Sequence, residues 1–161
     1  MDKLIIFGAQ YLIFVLIFLA GIYFARQSRK QQKEMLAFAI MTLPVIYIMA
    51  KFGSWLYFDP RPFVVESFVP LIAHASDNGF PSDHTLLSSA VAMIIFFYNK
   101  KLGVMLLALT LLVGFARVLA GVHHTVDILG SVGFAIVFSW LVHKYLLPKI
   151  LEAKICKKFL N

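Results

Sequence analysis

The chain has 161 residues, of which 61% are hydrophobic and only 14% charged, and its mean hydropathy is +0.85. A water-soluble core of this length cannot hide that much Phe, Leu, Ile and Val, so a soluble globular fold is excluded and the solvent for this fold is lipid. The lone Cys156 excludes an intramolecular disulfide. A net charge of +7 invites a nucleic-acid partner, but basic residues beside apolar spans hold helices against anionic headgroups instead, and no nucleic-acid binding is expected.

A helix needs about 20 apolar residues to cross the hydrocarbon core. The first such run is Leu4 to Ala25, read as a retained anchor because its apolar part is long and Lys3 is offset by Asp2. The second is Leu36 to Phe58. The connection from Asp59 to Phe80 is too apolar for a plain loop, with Phe63, Val64, Val65 and Phe68 among its residues. Pro60, Pro62 and Pro70 divide it, so a short interfacial helix from about Glu66 to Ala75 is expected. A third span follows Pro81 and runs to Tyr98; its polar first turn of Ser82, Asp83 and His84 must face protein or water. Leu102 to Ala120 and Val126 to Leu147 are the fourth and fifth. Beyond Pro148 the tail spaces Leu151, Ile155 and Phe159 four apart among lysines, as an interfacial helix does. The expected fold is an all-α integral membrane protein, a bundle of about five transmembrane helices plus a short interfacial helix, forming one domain over residues 1–161.

Orientation follows from the basic residues. Arg26 to Lys33, Lys100 with Lys101, and Lys144 to Lys158 collect eleven of the fifteen on one side. Positive loops stay in the cytoplasm, which puts the N-terminus and the Asp59 to Phe80 connection outside and the tail inside a cell membrane. Lys51, Arg61 and Arg117 then lie at or near the outer ends of spans and need a reason to be there.

Under this topology three clusters far apart in sequence meet at the outer face: Asp59-Pro60-Arg61-Pro62, Pro81-Ser82-Asp83-His84, and Arg117 with His123 and Asp127. Arginine binds phosphate oxygens in bidentate fashion and keeps its own proton. Ser82 stands as N-cap of the third span, so the N–H groups that follow, from Asp83 on, point at an anion with the helix dipole behind them. His123 and Asp127 are four apart, which stacks them on one helical face. A carboxylate holding one ring nitrogen leaves the other unprotonated and nucleophilic. His123 is therefore expected to attack phosphorus, with His84 protonating the leaving oxygen and later deprotonating water. Arg61, Ser82 and Arg117 are expected to hold the equatorial oxygens as charge develops. The expected substrate is a phosphate ester or anhydride on an outer-leaflet lipid, handled without metal or cofactor.

These residues, Pro81-Ser82-Asp83-His84 and then Arg117, five residues, His123, three residues and Asp127, resemble the signature blocks of the type 2 phosphatidic acid phosphatase superfamily. The resemblance runs from about Lys51 to Ile136 and implies a metal-independent phosphohydrolase in a helical bundle. It also implies His123 as nucleophile, Asp127 as its orienting partner, His84 as general acid, and Arg61, Ser82 and Arg117 as phosphate ligands. Asp83 stands where the family has glycine, and Ala116 where it has serine. Lys51 lies ten residues before Arg61, while the family's lysine stands nearer, at the position of Ser54; Lys51 is carried as a further phosphate ligand of smaller effect than Arg61. Asp83, Ala116 and the stretch from Leu56 to Val64 resemble the bacterial undecaprenyl diphosphate phosphatase branch, which implies a bacterial inner membrane and hydrolysis of undecaprenyl diphosphate to the monophosphate. Phosphatidic acid and phosphatidylglycerol phosphate present a phosphate at the same depth and stay open as substrates, as does transfer to another acceptor.

Two other classes compete. Zinc held by the histidines and Asp127 is disfavoured by the arginines, which repel a cation and attract a phosphate. A lipid transporter would carry charge near mid-span, whereas here it sits at span ends. His124 points roughly 100° away from His123 on a helix and is expected to play a secondary part. His74 and His143 are expected to be non-catalytic, with His74 still able to touch substrate.

Overall fold

The structure, a computed structural model, describes residues 1–152. Its elements are α1 (Asp2–Gln10), α2 (Leu12–Ala25), α3 (Arg29–Leu56), α4 (Pro62–Val65), α5 (Asp83–Tyr98), α6 (Lys100–Leu119), α7 (Thr125–Leu141) and α8 (Leu147–Glu152). A π turn over Val142–Leu146 joins the last two. That turn precedes Pro148, whose missing N–H and bulky ring cannot continue the α ladder onto Lys144. Among the described residues there is no strand, only an isolated bridge between Pro60 and Asn78.

The packing is that of a protein in lipid. Phe14, Phe18, Ile40, Ile48, Phe115 and Leu129 face outward, while Thr42, Ser88, Ser89, Thr110 and Ser139 are buried. Small residues at helix contacts let backbones approach where no hydrophobic force drives association. Gly114 of α6 is such a contact, since a Cβ there would collide with Ile128 of α7. α5 is the central helix and touches α2, α3, α6 and α7.

Among the described residues three helices are long and apolar enough to cross a membrane: α3, α6 and the continuous Thr125–Glu152. α1 and α2 add a fourth if taken as one broken span, bent by 46°. α5 is apolar but has only 16 residues, about 24 Å of helix against a core of about 30 Å. The first expected run is thus not one straight helix. Its break at Tyr11 has an identifiable cause: Arg117 Nη1 donates to the carbonyl of Ala9 at 3.2 Å, the acceptor that Ile13 N–H would take in an unbroken helix.

The short helix expected over Glu66 to Ala75 does not form. α4 lies earlier, because Pro62 occupies its first turn with φ already set for a helix. Ser67 then adopts a left-handed φ of 54° and ends it. The connection continues as irregular chain and is pinned to the α6 end by Leu71 N–H donating to Ala120 O at 3.0 Å. Ile155 and Phe159, which carried the expectation of a tail helix, lie outside the described residues.

Candidate active site

The site is framed by one asparagine. Asn78 Oδ1 accepts from Asp59 N at 2.9 Å and Phe80 N at 3.0 Å. Its Nδ2 donates to Ser54 O at 2.9 Å, Ser54 Oγ at 3.0 Å and Tyr57 O at 3.0 Å. The end of α3, the Asp59 turn and the approach to α5 are thereby tied together through one side chain. Asn78→Ala should cost about 2–3 kcal/mol, since several part-buried backbone groups lose their partner at once. A thermal midpoint in detergent equal to wild type would show that this network holds nothing. Next to it, Gly79 N–H donates to Asp59 O at 2.8 Å. A Cβ on Gly79 would stand 2.9 Å from Asp127 Oδ2, so only glycine brings backbone this near the carboxylate.

His123 is 2% exposed and lies in the turn before α7, not on the helix. The expected stacking of His123 and Asp127 on one helical face is corrected accordingly: Asp127 sits in the first turn of α7 and reaches back. Its Oδ2 accepts from His123 Nδ1 at 3.0 Å and from His124 N at 2.9 Å. On the other edge of the ring, Nε2 lies 3.3 Å from Arg61 Nη1. A carboxylate only accepts and a guanidinium only donates, so Nδ1 carries the hydrogen and Nε2 presents a lone pair. Burial, then the charges of Arg117 and Arg61, push the His123 pKa down to about 3. The ring is therefore a neutral base at working pH.

Arg61 is 5% exposed and fully oriented. Nε donates to Asp77 Oδ1 at 2.7 Å, Nη1 to Val122 O at 2.8 Å and Nη2 to Asn78 O at 3.4 Å. Burial alone would raise the Asp77 carboxyl, but the hydrogen bond and charge of Arg61 outweigh it and hold it below its ordinary value. Arg117 is 2% exposed, and its Nε is buried without a partner. Such a group in a buried site is poised for an anion.

Ser82 is the N-cap residue of α5, fully buried, but its hydroxyl accepts from Thr85 Oγ1 at 3.2 Å and caps no backbone N–H. Its N–H donates to Asp127 O at 3.4 Å, and Ser131 Oγ lies 3.0 Å from Ser82 O and 2.7 Å from Asp127 O. The starts of α5 and α7 are thus locked side by side. His84, half-buried in the first turn of α5, lies within electrostatic reach of Arg117 and His123.

Lys51 and Asp83 are exposed and line a polar cavity of about 90 Å³ together with Arg61, His74, Asp77 and Asn78. Lys51 Nζ also lies 5.4 Å from the Tyr47 ring. His74, expected to be non-catalytic but able to touch substrate, stands edge-on to His123 with centroids 6.0 Å apart. Burial and then the charge of Arg61 lower its pKa. His143 stacks on Phe97 at 4.0 Å, a packing role far from this cluster. Asp59 belongs to the first of the three sequence clusters but carries no role there, and Asp77 and Asn78 have only the Asp77-Asn78-Gly79 turn composition to mark them.

A neutral imidazole whose free nitrogen faces the oriented guanidinium of Arg61, with the charge of Arg117 also acting on it, is arranged to meet a phosphorus atom and the oxygens it carries. Comparison with known proteins agrees with that chemistry. The model of the PAP2 superfamily matches residues 35–150. Undecaprenyl-diphosphatase BcrC of Bacillus subtilis (strain 168) is 37% identical over 148 residues, 90% of this chain and 75% of that protein. Bacitracin transport permease protein BcrC of Bacillus licheniformis is 32% identical over 129 residues, 80% of this chain and 63% of that protein. The family match spans every polar side chain of the site from Lys51 to Asp127, and the chain belongs to the PAP2 superfamily.

Proposed function

We propose that this membrane protein hydrolyses undecaprenyl diphosphate to the monophosphate through a phosphohistidine on His123 Nε2. The observation that carries a lipid substrate is the continuity of polar and apolar space. Tyr47, Lys51 and Asp83 line both the polar cavity and an adjoining groove of about 350 Å³ walled by Leu43, Ile46, Leu86, Leu87 and Ala90. A phosphate head held by Arg61, which lines the cavity and touches His123 Nε2, leaves its tail lying in that groove between α3 and α5. The name of the Bacillus subtilis relative supplies the particular lipid.

In the first step the His123 Nε2 lone pair forms a bond to the terminal phosphorus while the bridging P–O bond breaks. His84 supplies the proton to the departing lipid monophosphate. Arg61, Arg117 and Ser82 hold the three equatorial oxygens; Arg61 Nη1 exchanges its contact with Nε2 for one with phosphate. Asp127 holds Nδ1–H and stabilises the ring as it becomes positive. In the second step His84 takes a proton from water, whose oxygen displaces the ring and releases inorganic phosphate. The chain crosses the membrane five times, with α5 as the short crossing that ends at the cavity. The N-terminus and cavity face outward, a reading supported by the bias of Lys and Arg to the opposite side.

Arg61→Lys should lower kcat/KM by about a hundredfold, because lysine keeps the charge but loses the fork aimed at Asp77, Val122 and Asn78. A loss under about threefold would show that charge alone suffices. The test of the function is phosphate release by purified protein in excess chelator from undecaprenyl diphosphate, phosphatidic acid and phosphatidylglycerol phosphate. Preference for undecaprenyl diphosphate supports the reading, and preference for either phospholipid replaces it. The Bacillus licheniformis relative is named for bacitracin transport, and the second reading for this chain is a non-enzymatic lipid transporter. Lipid movement across vesicles that survives His123→Ala would establish that alternative.

A further inference from the structure

Asp127 uses one oxygen twice. Its Oδ2 serves both His123 and His124, while Oδ1 is buried with no hydrogen-bond partner. A buried carboxylate oxygen without a donor is costly, and a carboxylate held on one side only is free to turn away from the ring it should orient. The neighbour able to close this gap is Asp59. Its side chain is 13% exposed, and its Oδ2 accepts from His124 Nδ1 at 2.9 Å. Asp59, His124 and Asp127 each place a polar atom within 4.8 Å of the other two. Gly79 closes the same space, its backbone lying against Asp59 O and Asp127 Oδ2. Two carboxylates this close in a buried site do not both carry charge; a single proton between them satisfies both.

We propose that Asp59 is a positioning residue for the reaction: protonated, it donates to Asp127 Oδ1 while its other oxygen accepts from His124 Nδ1–H. Asp127 is then gripped at both oxygens, and Oδ2 stays aimed at His123 Nδ1. The second Asp–His pair acts through the first and touches no substrate. Burial raises the Asp59 carboxyl above its ordinary range, His124 opposes this, and Asp127 adds to it, which agrees with the proton residing there. The inference rests on the reading of His123 as a nucleophile oriented by Asp127.

Asparagine reproduces both bonds without a charge, since its amide donates to Asp127 and its carbonyl accepts from His124; alanine reproduces neither. The experiment measures kcat and KM for Asp59→Asn, Asp59→Ala and Asp127→Asn on undecaprenyl diphosphate in chelator, with the His123 tautomer read by nitrogen NMR. Asp59→Asn should keep kcat within about fivefold of wild type and the Nδ1–H tautomer intact. Asp59→Ala should lose more than about fivefold in kcat, with KM little changed and the tautomer mixed. Equal losses in the two variants, or an Asp59→Ala enzyme within fivefold of wild type, would overturn the proposal. If Asp59→Ala does not stay folded, Asp59→Asn decides alone, and a loss there beyond about fivefold overturns it. Wild-type activity abolished by chelator would put a metal ion among these three groups and overturn it too. Full activity in Asp127→Asn would instead sink the histidine mechanism itself, whereas loss in Asp127→Asn beside an unimpaired Asp59→Ala removes only the role of Asp59.

Discussion

Replacing His123 with alanine is expected to lower phosphate release by about four orders of magnitude or more. The size follows from what the ring supplies. Its free nitrogen is fixed by two oppositely demanding partners, a carboxylate at Nδ1 and a guanidinium at Nε2. Without it Arg61 and Arg117 still gather the phosphate, but nothing between them forms a bond to phosphorus. The fold should survive, because Asp127 keeps the His124 N–H and Arg61 keeps Asp77, Val122 and Asn78. A quench of turning-over wild type should trap an acid-labile phosphoenzyme that the alanine variant lacks. Activity within about tenfold of wild type in His123→Ala would remove the ring from the chemistry altogether.

What the sequence disclosed and what it withheld divide along physical lines. Arg117, His123 and Asp127 were legible because they span one short turn, from the end of α6 to the first turn of α7, where spacing maps closely onto space. Even there the spacing gave the right contact by the wrong route, since α7 starts after His123 and Asp127 reaches back around the turn. Arg61 was legible as a cation with no business at a span end. Its partners were not: Asp77 and Asn78 reach it across an irregular connection whose path has no period to read. The same irregularity hid Asp59 as a partner of His124, 65 residues away. The helix expected at Glu66 failed because apolar content was read as helix, while Pro62 set the one turn that forms and Ser67 ended it. Apolar runs matched helices, three of them long enough to span and a fourth if α1 and α2 count as one, yet hydropathy is blind to a break such as Tyr11, where a buried arginine from another helix takes the carbonyl that would have continued the first one.

His84→Ala separates the two halves of the reaction. On undecaprenyl diphosphate the variant should lose about a thousandfold in turnover, since the departing monophosphate must leave without a proton. His84 opens α5, half-buried, in a cleft walled by the apolar Ile13, Phe14, Ile17 and Leu87 with Arg117 and His123 within electrostatic reach, so it holds the proton it donates only while the anionic phosphate is in place. An aryl phosphate with a good leaving group needs no such proton. On p-nitrophenyl phosphate the first step should therefore proceed in the variant and the second should stall, because water still lacks its base. The expected record is a burst of nitrophenol equal to the enzyme concentration, followed by a slow steady rate and a phosphohistidine that persists long enough to isolate. A linear progress curve with no accumulated phosphoenzyme would place proton transfer elsewhere. His74, edge-on to His123 at 6.0 Å, would then be the group to substitute next.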